Sequence, residues 1–193
     1  MLRIATPEDI PAILAIYGPY VLTSTATFEY TVPTPEEFTR RFEAVTAQYP
    51  GLVWEESGEI LGYAYASAPY TRAAFAWCAE PSIYLRGDAL GRGIGTALYT
   101  ALEAILARQG YHVLYALITE ENARSLAFHR RFGYETRAFF PDCGMKFGRW
   151  LGLIWMEKRL KTVEIPTNSP ARWLSIGQMG EKRSDILDNL SLS

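Results

Sequence analysis

The 193-residue sequence reads as an α/β protein built on a mixed β-sheet of about six to seven strands flanked by about four helices. Three observations carry that reading. Short β-branched or alternating runs interleave with amphipathic stretches at helical spacing. A glycine-rich turn over 91–95 separates a strand-like run from a long helical one. The order of elements, strand, two helices, three or four strands, helix, strand, helix, two strands, leaves no room for an all-parallel arrangement.

Each element has a local reason. Residues 2–5 form a short apolar strand, and Thr6-Pro7-Glu8-Asp9 is a polar, acidic helix start. Ile10, Ile13, Leu14 and Tyr17 then fall at i, i+3, i+4 and i+7, an amphipathic helix. A loop over 24–32 alternates Phe28 and Tyr30 with smaller residues. Thr34 is placed to cap a second helix, with Pro35 at its first position and Phe38, Phe42 and Val45 on its apolar side. Runs 52–55 and 59–66 predict a hairpin turned at Ser57-Gly58, and 77–85 a further strand. After the glycine turn, Ile94, Leu98, Ala101, Leu102, Ile105 and Leu106 make one stripe of a long helix closed by Gly110. Residues 112–118 predict a buried strand, 122–132 a helix closed by Gly133, and 134–140 and 151–160 two last strands. The composition changes after that. Pro166, Asn168, Ser169 and Pro170 break structure, so 162–193 is expected to be an appended tail, extended or partly disordered, with one short helix near 186–190, and 1–161 the folded domain.

Composition narrows the function. Hydrophobic residues make up 49% of the chain, enough for a sizeable core, and the net charge of −2 argues against a nucleic-acid partner, whose footprint is a strongly basic face. No apolar run nears the roughly 20 residues that span a bilayer, and no signal peptide is evident, so no membrane role is expected. Cys78 and Cys143 form neither a CxxC pair nor a disulfide framework, which fits a reducing cytoplasm. With His112 and His129 as the two histidines, a multi-histidine metal site is excluded, and no metal is expected.

The turn Leu90-Gly91-Arg92-Gly93-Ile94-Gly95 is the first place where chemistry concentrates. Glycines at alternate positions let the backbone turn tightly and approach a ligand. The free N–H groups of the turn and of the first helical turn, Thr96 included, point one way and with the helix dipole make an anion site. A phosphate-binding P-loop would need a lysine after the last glycine, where Thr96 stands. A dinucleotide fingerprint would need G-x-G-x-x-G near the start of a βαβ unit, and here the spacing is G-x-G-x-G in mid-chain. On the later helix Asn122, Ser125 and His129 fall within about one 60° sector, beside core positions Phe128 and Phe132, a polar line that a solvated edge would also explain.

These two segments together resemble the GCN5-related N-acetyltransferases (GNAT). Their Gln/Arg-x-x-Gly-x-Gly turn binds acyl-CoA, and Gly93 and Gly95 take its glycine positions, while Leu90 stands where Gln or Arg is usual. Asn122, Ser125, His129, Gly133 and Tyr134 reproduce the family's later helix. Within the family the chain resembles the phosphinothricin N-acetyltransferase group over about residues 2–160. Ser24-Thr25-Ala26-Thr27-Phe28, Ala79-Glu80-Pro81-Ser82-Ile83-Tyr84 and Gly144-Met145-Lys146-Phe147-Gly148-Arg149-Trp150 carry that likeness.

The resemblance implies the GNAT fold, acetyl-CoA as co-substrate, a small amine as acceptor, and a homodimer. Ile83, Tyr84, Leu85, Leu90, Gly91, Arg92, Gly93, Ile94, Gly95, Thr96, Asn122 and Ser125 would then hold the coenzyme, with Asn122 on the pantetheine arm. Glu80 would serve as general base, and Pro81, which departs from the group, suggests a strand edge or bulge that lets the strand splay. His129 would protonate the departing thiolate. Phe28, Arg72 and Lys146 would meet the substrate, Arg72 by gripping a carboxylate. Direct transfer in a ternary complex is expected, with a backbone N–H of the strand holding Glu80 and Leu85 stabilising the oxyanion; an acyl-Cys78 route is the lesser alternative. The group commonly has an Asp two residues after the Trp, where this chain has Gly152, so substrate preference is expected to differ from phosphinothricin itself. Two rivals stand beside this reading: acetylation of a protein N-terminus or lysine, and a non-catalytic acyl-CoA-binding module.

Overall fold

The computed structural model describes residues 1–160, so the expected tail and its short helix lie outside the described residues. Seven strands form one mixed sheet in the order β1-β2-β3-β4-β5-β7-β6, where β1 is Leu2–Ile4, β2 Gly51–Glu56, β3 Glu59–Ser67, β4 Cys78–Leu85, β5 Val113–Thr119, β6 Glu135–Lys146 and β7 Arg149–Arg159. Four α-helices, α1 (Ile10–Thr23), α2 (Pro35–Thr46), α3 (Ile94–Gln109) and α4 (Ala123–Arg131), complete it. This is the GNAT arrangement that the sequence predicts.

Local chemistry accounts for the boundaries. The Thr34 hydroxyl accepts from the Glu37 N–H at 3.2 Å and starts α2. Ser57 and Gly58 both take left-handed angles (φ 51° and 81°), the two-residue turn that suits the twist of a hairpin. Phe147 and Gly148 repeat it between β6 and β7 (φ 53° and 74°).

Strand alternation sorts the core into two layers. Leu52 and Ala64 face α3, where Leu98, Tyr99, Leu102, Ile105 and Leu106 are fully buried. Their neighbours Val53 and Tyr63 face the opposite layer, with Ile13 and Ile16 of α1 and Phe38 and Phe42 of α2. Truncating one of these fully buried leucines to alanine removes contacts worth roughly 2–5 kcal/mol.

The functionally important irregularity is between β4 and β5, the sheet's parallel pair. They pair through Cys78↔Val113 and Ala79↔Leu114 and then part. On its other side β4 keeps an unbroken antiparallel register with β3 from Ser67↔Glu80 to Gly62↔Leu85. The expected edge or bulge at Pro81 is therefore absent, because β4 is an interior strand in continuous register. The expected splay is present, and it opens on the β5 side. β6 runs further than the predicted 134–140, because residues 141–143 bulge opposite Gly152 and pairing resumes at Gly144↔Leu151.

Candidate active site

The parting of β4 and β5 opens a cavity of about 560 Å³. Glu80 to Leu85 of β4 line one wall and Ala116 to Thr119 of β5 the other. Gly95 and α4 form one end. The segment Thr25 to Phe28, with Tyr17 and Tyr20 of α1, forms the other.

The glycine turn makes the first end an anion cradle. Gly91 and Gly93 adopt φ of 79° and 83°, angles at which a side chain would be strained. Gly93 caps α3 without a side chain, and its carbonyl accepts from Ala97 at 3.1 Å. The N–H groups of Ile94, Gly95 and Thr96 therefore precede the first helical bond and face outward without a protein partner among the described residues. Gly91, Arg92, Gly93 and Thr96 are exposed at the rim, outside the cavity lining, whereas Leu90 and Gly95 line it. A Cβ on Gly95 would stand 3.2 Å from Leu85 Cδ1, so its bareness lets α3 approach β4. The Arg92 guanidinium is drawn away from the turn to Glu56, at 2.5 Å. The donors at this end are thus main-chain amides, which the side chain of Leu90 does not alter.

At the centre of the β4 wall, Glu80 is mostly buried and faces the cavity; no ion pair or hydrogen bond holds its carboxylate among the described residues. Burial pushes its pKa above the usual carboxylate range. The Arg86 N–H to Leu61 carbonyl bond of 2.9 Å sets the alternation along β4. By it, the N–H groups of Ile83 and Leu85 point away from β3, and Pro81 has none to point. The Tyr20 hydroxyl donates to the Leu85 carbonyl at 2.6 Å and accepts from the Leu85 N–H at 3.4 Å. That leaves the N–H of Ile83 facing the opening. Cys78 does not line the cavity, and burial pushes its thiol pKa up, away from the thiolate that an acyl-cysteine route needs.

On α4 the Asn122 side-chain oxygen accepts from the Ser125 N–H at 3.1 Å and caps the helix, which leaves its NH₂ for the cavity. His129, 4% exposed, sends Nδ1 to the Ser125 carbonyl at 2.8 Å. A carbonyl can only accept, so Nδ1 carries the proton and a neutral ring presents Nε2 as an acceptor. Burial lowers the His129 pKa from its ordinary 6.5. A neutral ring has no proton at Nε2 to give, so the expected role of His129 at the departing thiolate requires that it first receive one.

Two of the substrate residues need correction. Lys146 does not reach the cavity: it is 1% exposed and its Nζ donates to the carbonyls of Ser24 and Thr27, each at 2.7 Å. Arg72 is exposed ahead of the short 3-10 turn Ala73–Phe75 and does not line the cavity. Phe28 does line it, seated where a Cβ on Gly144 would come within 2.2 Å of its ring. Sequence reasoning missed Tyr17, Tyr20 and Tyr65 as wall residues. Tyr17 and Tyr65 looked like core, and nothing local distinguishes a hydroxyl that reaches a cavity from one that does not. At Gly152 a Cβ would stand 2.9 Å from the Glu120 carboxylate, whose Oε1 accepts the Gly152 N–H at 3.0 Å. A carboxylate thus fills the space that the missing side chain leaves.

Comparison with known proteins agrees with this fold. The acetyltransferase (GNAT) domain family matches residues 2–155. The L-methionine sulfoximine/L-methionine sulfone acetyltransferase of Pseudomonas paraeruginosa is 40% identical, over 82% of this chain and 94% of its own. A crystal structure of a GNAT superfamily phosphinothricin acetyltransferase from Sinorhizobium meliloti in complex with AcCoA superposes with a TM-score of 0.84 at 36% identity, covering 91% of this chain and 97% of that one. A crystal structure of ribosomal-protein-alanine N-acetyltransferase from Brucella melitensis superposes with a TM-score of 0.80 at 36% identity, covering 83% and 99%.

Proposed function

The chain belongs to the GNAT acetyltransferases, and from that premise we propose that it moves the acetyl group of acetyl-CoA onto the amine of a small amino-acid-like molecule of the methionine sulfone, methionine sulfoximine or phosphinothricin type. One observation carries this reading. A carboxylate with a raised pKa and no partner among the described residues lines the same cavity as the glycine-bounded helix start.

The diphosphate of acetyl-CoA lies on the amides of residues 91–96, and the pantetheine enters between β4 and β5, where the Asn122 NH₂ meets it. The amine arrives as ammonium, which is not nucleophilic. Glu80, through a water, takes its proton, and the raised pKa brings the base nearer the operating pH. The amine attacks the thioester carbonyl, and the Ile83 N–H receives the oxyanion. The new C–N bond leaves the nitrogen positive. His129, neutral with Nε2 open, takes that second proton and passes it to the departing thiolate. Transfer is direct, in a ternary complex, and most of the acceleration comes from holding amine and thioester together.

Thiol release from acetyl-CoA over a panel of amines tests this. Turnover is expected with methionine sulfone, methionine sulfoximine or phosphinothricin. Turnover confined to peptides or ribosomal proteins would favour protein acetylation, and saturable acetyl-CoA binding without turnover would favour a sensing module. The segment Thr25 to Phe28 closing the acceptor end supports the small substrate.

A homodimer in the cytoplasm completes the proposal. Phe139, Phe140, Met145, Phe147 and Trp150 on the β6–β7 hairpin are 44–63% exposed, an apolar surface suited to a second copy, and both cysteines are free. Light scattering on the eluting protein reads the mass.

A further inference from the structure

The segment that closes the acceptor end has no scaffold of its own. Residues 25–33 make no backbone–backbone hydrogen bond among the described residues. Yet Thr25, Ala26, Thr27 and Phe28 all line the cavity. Tyr17 of α1 meets the Thr27 hydroxyl at 2.8 Å and Thr119 of β5 donates to the Thr25 carbonyl at 3.1 Å, and the remaining ties come from the β6–β7 hairpin and the residue it grips. Lys146 holds the Ser24 and Thr27 carbonyls. The Tyr30 hydroxyl donates to the Met145 carbonyl at 2.6 Å, and Phe28 rests on bare Gly144. Arg149 grips Glu121 through two contacts of 2.5 and 2.8 Å, and Glu121 in turn accepts from the Thr25 hydroxyl at 2.7 Å.

We propose that Lys146 is a positioning residue for the acceptor substrate, the central tie by which the β6–β7 hairpin fixes segment 24–30 over the cavity. An ammonium out of water is costly unless it is fully bonded. Lys146 has no carboxylate in ion-pair contact among the described residues; its compensation is the two carbonyls and the face of Phe147, 5.0 Å away. The charge therefore bonds mainly to the loop, whose Glu29 carboxylate also attracts it. The cofactor cradle lies on α3, which Lys146 does not touch. Loss of the tie should be felt by the amine and not by acetyl-CoA, which is what separates positioning from a general loss of stability.

The inference rests on the acetyltransferase reading, and two readouts keep their failures apart. In steady-state kinetics, Lys146→Met keeps the stem and removes the donors. It is expected to raise the KM for the amine about tenfold, from the loss of charged hydrogen bonds, and to leave the KM for acetyl-CoA unchanged. Limited proteolysis with chymotrypsin should cut faster at Phe28 and Tyr30 and no faster within α3. If Lys146→Met does not fold, Tyr30→Phe removes the exposed hydroxyl that holds the same segment to the Met145 carbonyl and carries both readouts. Equal rises in the two KM values, or unchanged cleavage at Phe28 and Tyr30, would overturn the proposal. If the wild type turns over no amine, the functional reading fails, and proteolysis alone decides whether Lys146 ties the loop.

Discussion

The Ser125 carbonyl receives Nδ1–H of His129 from one helical turn ahead, at 2.8 Å. That bond fixes which nitrogen of His129 is bare, and with burial it makes the neutral ring the resting form. The folded pKa lies below the unfolded 6.5, so the unfolded chain binds more protons near that pH. Stability contributed by neutral His129 is present above about pH 6.5 and is lost as pH falls from there through the folded pKa. His129→Phe keeps the ring against Tyr99 and Tyr134 and removes the titration. Melting temperature against pH should be flatter on its acid side in the variant, while kcat falls by about 10²-fold or more. An unchanged acid limb would mean that His129 is not held neutral.

Glu80 gives the opposite sign. Burial raises its folded pKa, so the folded chain favours the protonated acid, and ionisation at neutral pH costs stability. The cost begins above the unfolded pKa of about 4.3 and grows until pH passes the folded value. Glu80→Gln is expected to melt higher than wild type at pH 8, with no such gain at pH 4, and to lose about 10²-fold or more in kcat. Gain in stability with loss of turnover is the signature of a functional group held at a disfavoured charge. A variant that melts lower at pH 8 would place Glu80 in a stabilising role instead.

How much of this was legible in the sequence depends on how local each signal is. The Thr34 cap, the Ser57-Gly58 turn and the glycine closing α3 were readable because each is decided by a few adjacent residues. Gly110, with φ of 96°, sits where the end of the apolar stripe put it. Asn122, Ser125 and His129 stood in one helical sector, Glu80 came from the family resemblance, and all four fall around one space. Lys146 was misread because its partners lie 119 and 122 residues away, and a lysine bound to two carbonyls leaves no trace in its own neighbourhood. Arg72 was assigned by family position alone, and it is exposed outside the cavity lining. The length of β6 was hidden by the bulge at 141–143, which breaks the alternation that marks a strand.

The glycine turn makes a prediction about acetyl-CoA alone. Gly93→Ala puts a side chain at φ 83°, which costs roughly 1–2 kcal/mol in a left-handed residue. The backbone relieves that strain by rotating, and rotation turns the Ile94 and Gly95 amides from the anion. The dissociation constant for acetyl-CoA, by calorimetry, should rise about tenfold or more. Affinity for free pantetheine, which lacks the diphosphate, should be unaffected. Equal losses for both ligands would place the diphosphate elsewhere.

Away from the cavity, Lys158 meets Glu103 at 2.5 Å on the far side of Tyr134. Glu103 is 9% exposed, and its other oxygen has no partner among the described residues. Burial already raises the Glu103 pKa, and Lys158 is the main influence pulling it back. Lys158→Met leaves a carboxylate with neither water nor cation, which costs several kcal/mol when fully buried and about 2 kcal/mol with Lys158 partly exposed. The deficit should depend on pH with a definite sign. The folded pKa rises further in the variant, so the loss is fully present once pH exceeds that value and vanishes at low pH, where Glu103 is protonated in both states. Adding Glu103→Gln to Lys158→Met should recover most of the stability at pH 8, because the amide hydrogen-bonds without charge. Urea unfolding of the single and double variants at pH 8 and pH 4 reads all of this. A deficit equal at both pH values would mean that the Lys158 ammonium over the Phe132 and Tyr134 rings supplies the stability, and that the ion pair does not.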